Sequence, residues 1–70
     1  MKVVVTGSGG KVGRAAVAAL MEAGHTVRAV DVFPPTFDRP LPNEPDYLQA
    51  NMTDPGDAFA AVRGMDAVVH

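Results

Sequence analysis

The fold is decided by residues 2–13, which read Lys2-Val-Val-Val-Thr-Gly-Ser-Gly-Gly-Lys-Val-Gly13. The three consecutive valines form a short apolar, β-branched run, which predicts a strand buried on both faces. A glycine-rich turn follows the strand, and an alanine-rich helical pattern begins after Gly13. A helix that starts directly after such a turn leaves backbone N–H groups unpaired at its positive end. These groups form an anion site suited to a pyrophosphate.

The spacing of the glycines separates two versions of this site. A G-x-G-x-x-G reading through Gly7 and Gly9 requires glycine or alanine at position 12, where the chain has Val12. A G-x-x-G-x-x-G reading through Gly7, Gly10 and Gly13 fills every position. In that reading one glycine allows the tight turn, one lets the backbone approach phosphate, and one packs the helix against the strand. The alternative is a loop that only connects two elements, but the elements that follow in register favour dinucleotide binding.

The second predicted strand, residues 26–31, ends on Asp31, 18 positions after the last glycine of the turn. This separation fits the acid that binds the adenosine ribose, where a carboxylate accepts from both hydroxyls and repels the 2′-phosphate of NADP. The alternative is a solvated acid at a strand end. Arg28 lies within the strand and is a poor candidate for holding a 2′-phosphate, whereas Lys11 and Arg14 lie nearer the phosphates and leave room for NADP.

The elements between these motifs follow from periodicity and turn residues. A first helix is predicted from Lys11 to Ala23, and a third strand over residues 46–50. The segment 33–45 carries five prolines and is expected to be irregular, as a surface connection or as a lid over the adenosine end. The apolar face of the first helix is predicted to consist of Val12, Ala16, Ala19, Leu20 and Ala23.

A second helix is predicted to begin at Pro55, with Asp54 or Thr53 as its N-cap, and to end at Gly64. A fourth strand, residues 66–70, follows and is expected to carry an open edge. Together these elements predict an α/β fold: a Rossmann-like parallel sheet of strand order 3-2-1-4 with helices on both faces. The apolar face of the second helix is predicted to consist of Ala58, Phe59 and Val62.

Size and composition exclude several classes of function. Seventy residues form at most one domain, here residues 1–70, and 47% hydrophobic residues indicate a globular chain. A net charge of −2 predicts no affinity for nucleic acid. No apolar run has the length of a membrane span, and the N-terminus lacks the features of a secretory signal, so a cytoplasmic location is expected. The absence of cysteine excludes disulfides and thiolate metal sites.

The whole chain resembles the extended short-chain dehydrogenase/reductases, also called the NAD-dependent epimerase/dehydratases. The matching segments are Thr6-Gly-Ser-Gly-Gly-Lys-Val-Gly13, Gly24-His-Thr-Val-Arg-Ala-Val-Asp31, Gln49-Ala-Asn-Met-Thr-Asp54 and Gly64-Met-Asp-Ala-Val-Val-His70.

The resemblance implies NAD, favoured over NADP, with Asn51 and Met52 bordering the adenine. The family usually has an aspartate where Asn51 stands, contacting the adenine amino group, and Asn51 is expected to accept that hydrogen bond through its carbonyl oxygen. His70 matches the start of a His-x-Ala-Ala stretch under the nicotinamide half. The predicted cofactor-binding residues are Gly7, Gly9, Gly10, Lys11, Val12, Gly13, Asp31, Val32, Asn51 and Met52.

The resemblance implies a catalytic Tyr-x-x-x-Lys pair in a part of the chain well beyond position 70. The single tyrosine of these residues, Tyr47, does not match that motif, because Asn51 and not lysine follows it by four positions. No catalytic residue is therefore predicted here. The chain is interpreted as the N-terminal, NAD-binding portion of an oxidoreductase, epimerase or dehydratase acting on a sugar or similar hydroxylated substrate, and is expected to be inactive alone.

Two other interpretations stay open. One is a non-catalytic dinucleotide-binding sensor of the atypical short-chain reductase type, and the other is a structural module that binds no nucleotide. A homodimer of the full-length protein is also left open.

Overall fold

A computed structural model describes residues 1–32 and 45–70. They form one parallel four-stranded sheet and two helices. Within these ranges neither helix is long and apolar enough to cross a bilayer. The prediction for residues 33–44, an irregular connection or a lid, lies outside the described residues. In chain order the elements are β1 (Lys2–Thr6), α1 (Lys11–Glu22), β2 (Thr26–Asp31), β3 (Asp46–Gln49), α2 (Pro55–Val62) and β4 (Ala67–Val69).

The strand order is β3-β2-β1-β4, as predicted, and every neighbouring pair is parallel. Val4 of β1 lies between Arg28 of β2 and Val68 of β4, so β1 is central. The order reverses between β1 and β4, and in open parallel sheets ligands bind at the carboxyl ends of the strands beside such a point. The predicted fold class is therefore confirmed, and it places the glycine turn at this position.

The valines of β1 explain why helices lie on both faces of the sheet. Side chains alternate along a strand, so Val4 and Val5 point to opposite faces, and both are fully buried. Val5 packs in a cluster on the α1 side, whose other buried members are Val17, Met21, Val27 and Ala29. Val4 packs in a second cluster on the α2 side, with Val30, Ala50 and Ala61. A strand covered on both faces reads as an unbroken apolar run, which is what the sequence has.

The predicted apolar face of α1 was right for Ala16 and Leu20, which pack against the core, and wrong for its other three residues. Val12 is 83% exposed, and Ala19 and Ala23 are also exposed, whereas Val17 and Met21 are the buried residues of the helix. The physical reason is the position of Gly13, where α1 comes closest to the turn after β1. Side chains that follow Gly13 at intervals of about four residues face the sheet, and Val12 in the first turn does not.

The predicted face of α2 was also largely wrong. Phe59 is 67% exposed and Val62 is exposed, Ala58 is only half-buried, and the buried residue is Ala61. The small side chain of Ala61 sits where α2 meets the sheet. Large apolar residues were assigned to the interior because of their size, but in this helix they lie on the outer side.

The boundaries of the elements lie close to the predicted ones. Asp54 is the N-cap of α2, as predicted, and its Oδ1 accepts a hydrogen bond of 3.1 Å from the backbone N–H of Asp57. The strand β4 is shorter than predicted, because Asp66 and His70 lie outside it. Along the described residues β4 pairs with β1 alone, and Val68 is 53% exposed.

Arg28 of β2 connects the sheet to the C-terminal end of α2 through hydrogen bonds. Its Nη1 donates to three backbone carbonyls at the C-terminal end of α2, at 3.2, 3.1 and 2.9 Å, and its Nε forms a 2.9 Å ion pair with Asp46 of β3. A cation at a helix C-terminus satisfies unpaired carbonyls and interacts favourably with the helix dipole. Ala61 is the one residue of α2 that is fully buried, so the hydrogen bonds from Arg28 are an important part of what fixes the helix against the sheet. The three acceptors are the carbonyl oxygens of Ala60, Ala61 and Arg63.

Replacing Arg28 with methionine should therefore destabilise the protein. Arg28→Met keeps most of the aliphatic stem but leaves the helix carbonyls and Asp46 without their donor, which we expect to lower the free energy of unfolding by about 1–3 kcal/mol. Urea unfolding measures this. The matched control is Arg63→Met, which removes an equal charge from an exposed side chain at the same helix end. Equal stability losses in the two variants would contradict the role given to Arg28.

Candidate functional site

The turn between β1 and α1 is shaped by two of its glycines. Gly7 has a backbone φ of +62°, a conformation that residues with side chains rarely adopt. A Cβ added to Gly13 would lie 2.2 Å from the carbonyl oxygen of Gly7, so no side chain fits there. These two positions carry the roles predicted for the tight turn and for helix–strand packing.

Gly10 differs from both, because the protein itself does not require glycine at this position. Its backbone is extended, and an added Cβ would meet nothing closer than 3.5 Å, the carbonyl oxygen of Gly7. The N–H of Gly10 donates to that same oxygen at 3.1 Å, which closes the turn. Contacts within the described residues therefore do not explain a glycine here, which agrees with the prediction that this position faces a phosphate.

The two helices differ in how their N-termini are satisfied. The N-cap of α2 is a carboxylate, and Asp57 adds a second acid to its first turn. The N-cap of α1 is Gly10, which has no side chain to offer, and the first turn of α1 holds no acid but carries Lys11. No side chain of the described residues caps α1. Its first N–H groups and its positive dipole end are therefore available to an anion.

Asp31 lies beside this turn and is fixed by two backbone donors. Its Oδ2 accepts from the N–H of Gly9 at 2.8 Å, and its Oδ1 accepts from the N–H of Val32 at 2.7 Å. The hydrogen bond from Gly9 joins the glycine turn directly to the end of β2. Each carboxylate oxygen keeps acceptor capacity after one bond, so both are able to receive a further donor such as a ribose hydroxyl.

A cleft of about 310 Å³ opens at the carboxyl ends of the strands. Five of the predicted cofactor residues line it: Gly7, Asp31, Val32, Asn51 and Met52. The other five, Gly9, Gly10, Lys11, Val12 and Gly13, lie in the turn and the first turn of α1 and do not line the cleft. Residues that the sequence did not single out also line it: Thr6, Val30, Ala50 and Thr53, together with His70.

Asn51 is held in a manner that the sequence analysis did not foresee. Its side-chain Oδ1 accepts from both the backbone N–H of Thr53, at 3.0 Å, and the hydroxyl of Thr53, at 2.6 Å. The carbonyl oxygen that was expected to accept from adenine is thus already engaged within the protein. An Asn followed two residues later by Thr is a pattern typical of such a local turn, and this was the available signal.

Thr6 and His70 meet at the point where the strand order reverses. The Thr6 Oγ1 and the His70 Nδ1 are 2.6 Å apart, and the Thr6 hydroxyl also lies 3.4 Å from the carbonyl oxygen of Val69. Thr6 is buried and His70 is exposed. His70 also lines the cleft.

The parallel sheet, the uncapped helix after a glycine turn and the acid at the end of the second strand together define a dinucleotide-binding protein of the doubly wound class. The model of the NAD dependent epimerase/dehydratase family matches residues 3–70, and the chain belongs to this family.

Relatives of known activity share this region. The chain is 39% identical over 71 residues to a 3 beta-hydroxysteroid dehydrogenase/Delta 5-->4-isomerase of Mycobacterium tuberculosis, matching 99% of this chain and 18% of that protein. It is 33% identical over 70 residues to a UDP-glucose 4-epimerase of Corynebacterium glutamicum, matching 100% of this chain and 21% of that protein. The chain thus spans about a fifth of the length of these relatives.

A solved structure gives the same result for the fold. A mutant uronate dehydrogenase of Agrobacterium tumefaciens, in complex with NAD, superimposes with a TM-score of 0.77 at 30% identity, covering 99% of this chain and 25% of that one. The family is NAD-dependent and this neighbour holds NAD, so the cofactor predicted from the sequence is confirmed. The assignment of individual residues to NAD stays a prediction.

The contrast between Gly13 and Gly10 yields a first prediction for the site. Gly13→Ala forces a Cβ against the Gly7 carbonyl and should lower the free energy of unfolding by about 2–4 kcal/mol. Gly10→Val should fold with a loss below about 1 kcal/mol, yet weaken NAD binding about tenfold or more by obstructing the phosphates. Urea unfolding and calorimetric titration with NAD measure the two effects. Normal NAD affinity in Gly10→Val would place the phosphates elsewhere.

The hydroxyl of Ser8 yields a second prediction. Ser8 is fully buried in the turn, and its Oγ has no hydrogen-bond partner along the described residues. A buried hydroxyl without a partner is destabilising, so Ser8→Ala should leave the free energy of unfolding equal or raise it by up to about 1 kcal/mol. Thr6→Val is the matched control, because it removes a buried hydroxyl that is hydrogen-bonded and should cost about 1 kcal/mol. A Ser8→Ala variant that loses as much stability as Thr6→Val would reveal a partner for Ser8.

Proposed function

We propose that the whole protein is an NAD-dependent oxidoreductase, epimerase or dehydratase acting on a sugar or a similar hydroxylated substrate. In this proposal the described residues hold the adenosine and pyrophosphate half of the cofactor. The observation that carries it is the hydrogen bond between the N–H of Gly9 and the carboxylate of Asp31, at 2.8 Å. This bond brings an anion site and a ribose-binding acid together at the carboxyl ends of adjacent strands, which is the arrangement a dinucleotide requires.

Each part of the cofactor has a region suited to its chemistry. The pyrophosphate is assigned to the N-terminal N–H groups of α1, with the charge of Lys11 close by in the first helical turn. The adenosine ribose is assigned to Asp31, and the adenine to the part of the cleft lined by Val32, Asn51 and Met52. Two apolar side chains and one amide suit a flat aromatic base with polar edges.

The substrate class is supported by what the relatives have in common. Their names specify a hydroxysteroid, UDP-glucose and a uronate, three compounds that differ in size and polarity but that all carry hydroxylated carbon. NAD supplies hydride transfer to and from such carbons. The experiment is to incubate the full-length protein with NAD and a panel of sugars, uronates and hydroxysteroids and to follow NADH absorbance. Epimerisation returns the hydride, so products are also analysed by chromatography.

A non-catalytic dinucleotide sensor is the second candidate, because the binding half described above serves either function. Tight NAD binding with no turnover of any substrate in the panel would favour the sensor. Failure to bind NAD at all would contradict both functions and favour a structural module.

Asp31 should determine the choice between NAD and NADP. The full-length protein is expected to prefer NAD, because the carboxylate attracts ribose hydroxyls and repels a 2′-phosphate. Asp31→Asn keeps the shape of the side chain but removes its charge and one of its two hydrogen bonds from backbone N–H groups. The preference for NAD over NADP, taken as the ratio of the two dissociation constants, should fall by the equivalent of about 1–3 kcal/mol.

Calorimetric titrations with NAD and NADP measure this ratio in wild type and variant. The matched control is Asp66→Asn, whose carboxylate accepts from the N–H of Lys2 at 2.8 Å and does not line the cleft. Equal and tight binding of NADP by the wild type would overturn the role of Asp31.

A further inference from the structure

The orientation of the Asn51 amide is fixed by its hydrogen bonds. The backbone N–H of Thr53 is a donor only, and it lies 3.0 Å from the Asn51 Oδ1. Turning the amide by half a rotation would set its own N–H groups against that donor, whereas the Thr53 hydroxyl, 2.6 Å from Oδ1, is able to pair with either amide group. The amide oxygen therefore faces Thr53, as its hydrogen-bond network requires.

The backbone of Asn51 is anchored as well. Its N–H donates to the Oδ2 of Asp57 at 2.9 Å, and Asp57 lies in the first turn of α2, where its own N–H is bound by the N-cap Asp54. The helix that Arg28 clamps to the sheet thus also holds the residue at the edge of the cleft. Asn51 is restrained at its backbone and at its side-chain oxygen.

What Asn51 has left to offer is its amide nitrogen. A carbonyl oxygen has two lone pairs, and Thr53 uses both. The Nδ2 group carries two N–H donors, and these have no partner along residues 1–32 and 45–70. Asn51 lines the cleft beside Val32 and Met52, the region assigned to the base. The polar side-chain group that Asn51 has available to this region is therefore a donor.

We propose that Asn51 recognises the base of the cofactor by donating hydrogen bonds through Nδ2, and so selects a purine by an acceptor on its edge instead of by its 6-amino group. This inference rests on the proposed function, and it adds that the protein is the hydrogen-bond donor and the base the acceptor at Asn51. An aspartate at the same position would present a carboxylate oxygen in place of Nδ2 and would accept from the 6-amino group. In this chain the direction of the hydrogen bond to the base is reversed, because the Asn51 Oδ1 faces Thr53 and leaves Nδ2 to donate.

If Asn51 donates to the base, the protein should bind a dinucleotide in which hypoxanthine replaces adenine. Adenine offers ring-nitrogen acceptors beside its 6-amino group, and hypoxanthine offers a 6-oxo acceptor in place of that amino group. Either base therefore provides an acceptor for a hydrogen bond from the Asn51 Nδ2. The probe is therefore nicotinamide hypoxanthine dinucleotide, in which a 6-oxo group replaces the 6-amino group of NAD and N1 of the base carries a proton.

The experiment compares the dissociation constants of the two dinucleotides for the full-length protein and for Asn51→Asp. In the wild type we expect the two constants to agree within about threefold, a difference smaller than one hydrogen bond. In Asn51→Asp the hypoxanthine dinucleotide should bind about tenfold or more weakly than NAD, because the new oxygen faces the 6-oxo group. Asn51→Asp preserves the bonds from Thr53, and its thermal unfolding is checked alongside.

A matched control tests the anchor. Thr53→Val removes the hydroxyl but keeps the backbone N–H that orients the amide, so the two dinucleotides should still bind alike. The ¹⁵N-coupled signals of the Asn51 amide, assigned as the pair lost in Asn51→Asp, should shift when either dinucleotide is added.

Three results would overturn the inference. Wild-type binding that favours NAD tenfold would show that the 6-amino group is recognised, and equal binding in both wild type and Asn51→Asp would show that Asn51 does not touch the base. Failure of both dinucleotides to bind would refute the proposed function itself, and is distinguished from the first two results by the missing NAD affinity.

Discussion

The structure depends on the contact between Gly13 and the carbonyl of Gly7, at which no Cβ has room. This approach lets α1 start directly after the turn, so that its N-terminus lies at the carboxyl end of β1. It also sets the rotation of the helix, because the side chains that follow Gly13 at helical spacing, Val17 and Met21 among them, are the ones that meet the sheet. The anion site and one half of the core are consequences of a single close packing contact.

The two helices solve the same electrostatic problem in opposite ways. The helix α2 is neutralised at both ends within the protein, by Asp54 and Asp57 at its N-terminus and by Arg28 at its C-terminus. The helix α1 receives no such cap from the described residues. Unpaired helix-end groups are costly when buried and are satisfied by water or a ligand when open, so the uncapped end of α1 is available to the anion that the proposed function places there.

The sequence predicted the strand order, the cap of α2 and the position of Asp31 because each depends on local signals: a glycine turn, an Asp-Pro pair and an acid ending a strand. It placed Ala16 and Leu20 correctly on the buried face of α1, but it did not predict which residues the helices bury most deeply. That choice depends on where Gly13 and Ala61 allow close approach, and the exposure of Val12 and Phe59 opposes the usual preference of large apolar side chains. The reach of Arg28 from β2 to the end of α2 joins residues more than thirty positions apart, which no local pattern reveals.

The polar groups of the candidate site are held by the protein before any ligand arrives. Asp31 is fixed by the N–H groups of Gly9 and Val32, and Asn51 by the N–H of Thr53 and the carboxylate of Asp57. Three of these four contacts are made by backbone donors to a site side chain, and the fourth is made by the backbone of Asn51 itself. A backbone donor loses less freedom on binding than a long side chain, so a ligand that uses the remaining lone pairs and N–H groups meets a preorganised surface and loses less free energy to ordering. The same anchoring determines which atoms remain to be recognised. It leaves acceptor capacity at Asp31, which suits the hydroxyls of a ribose, and N–H donors at Asn51, which suit an acceptor on a purine edge.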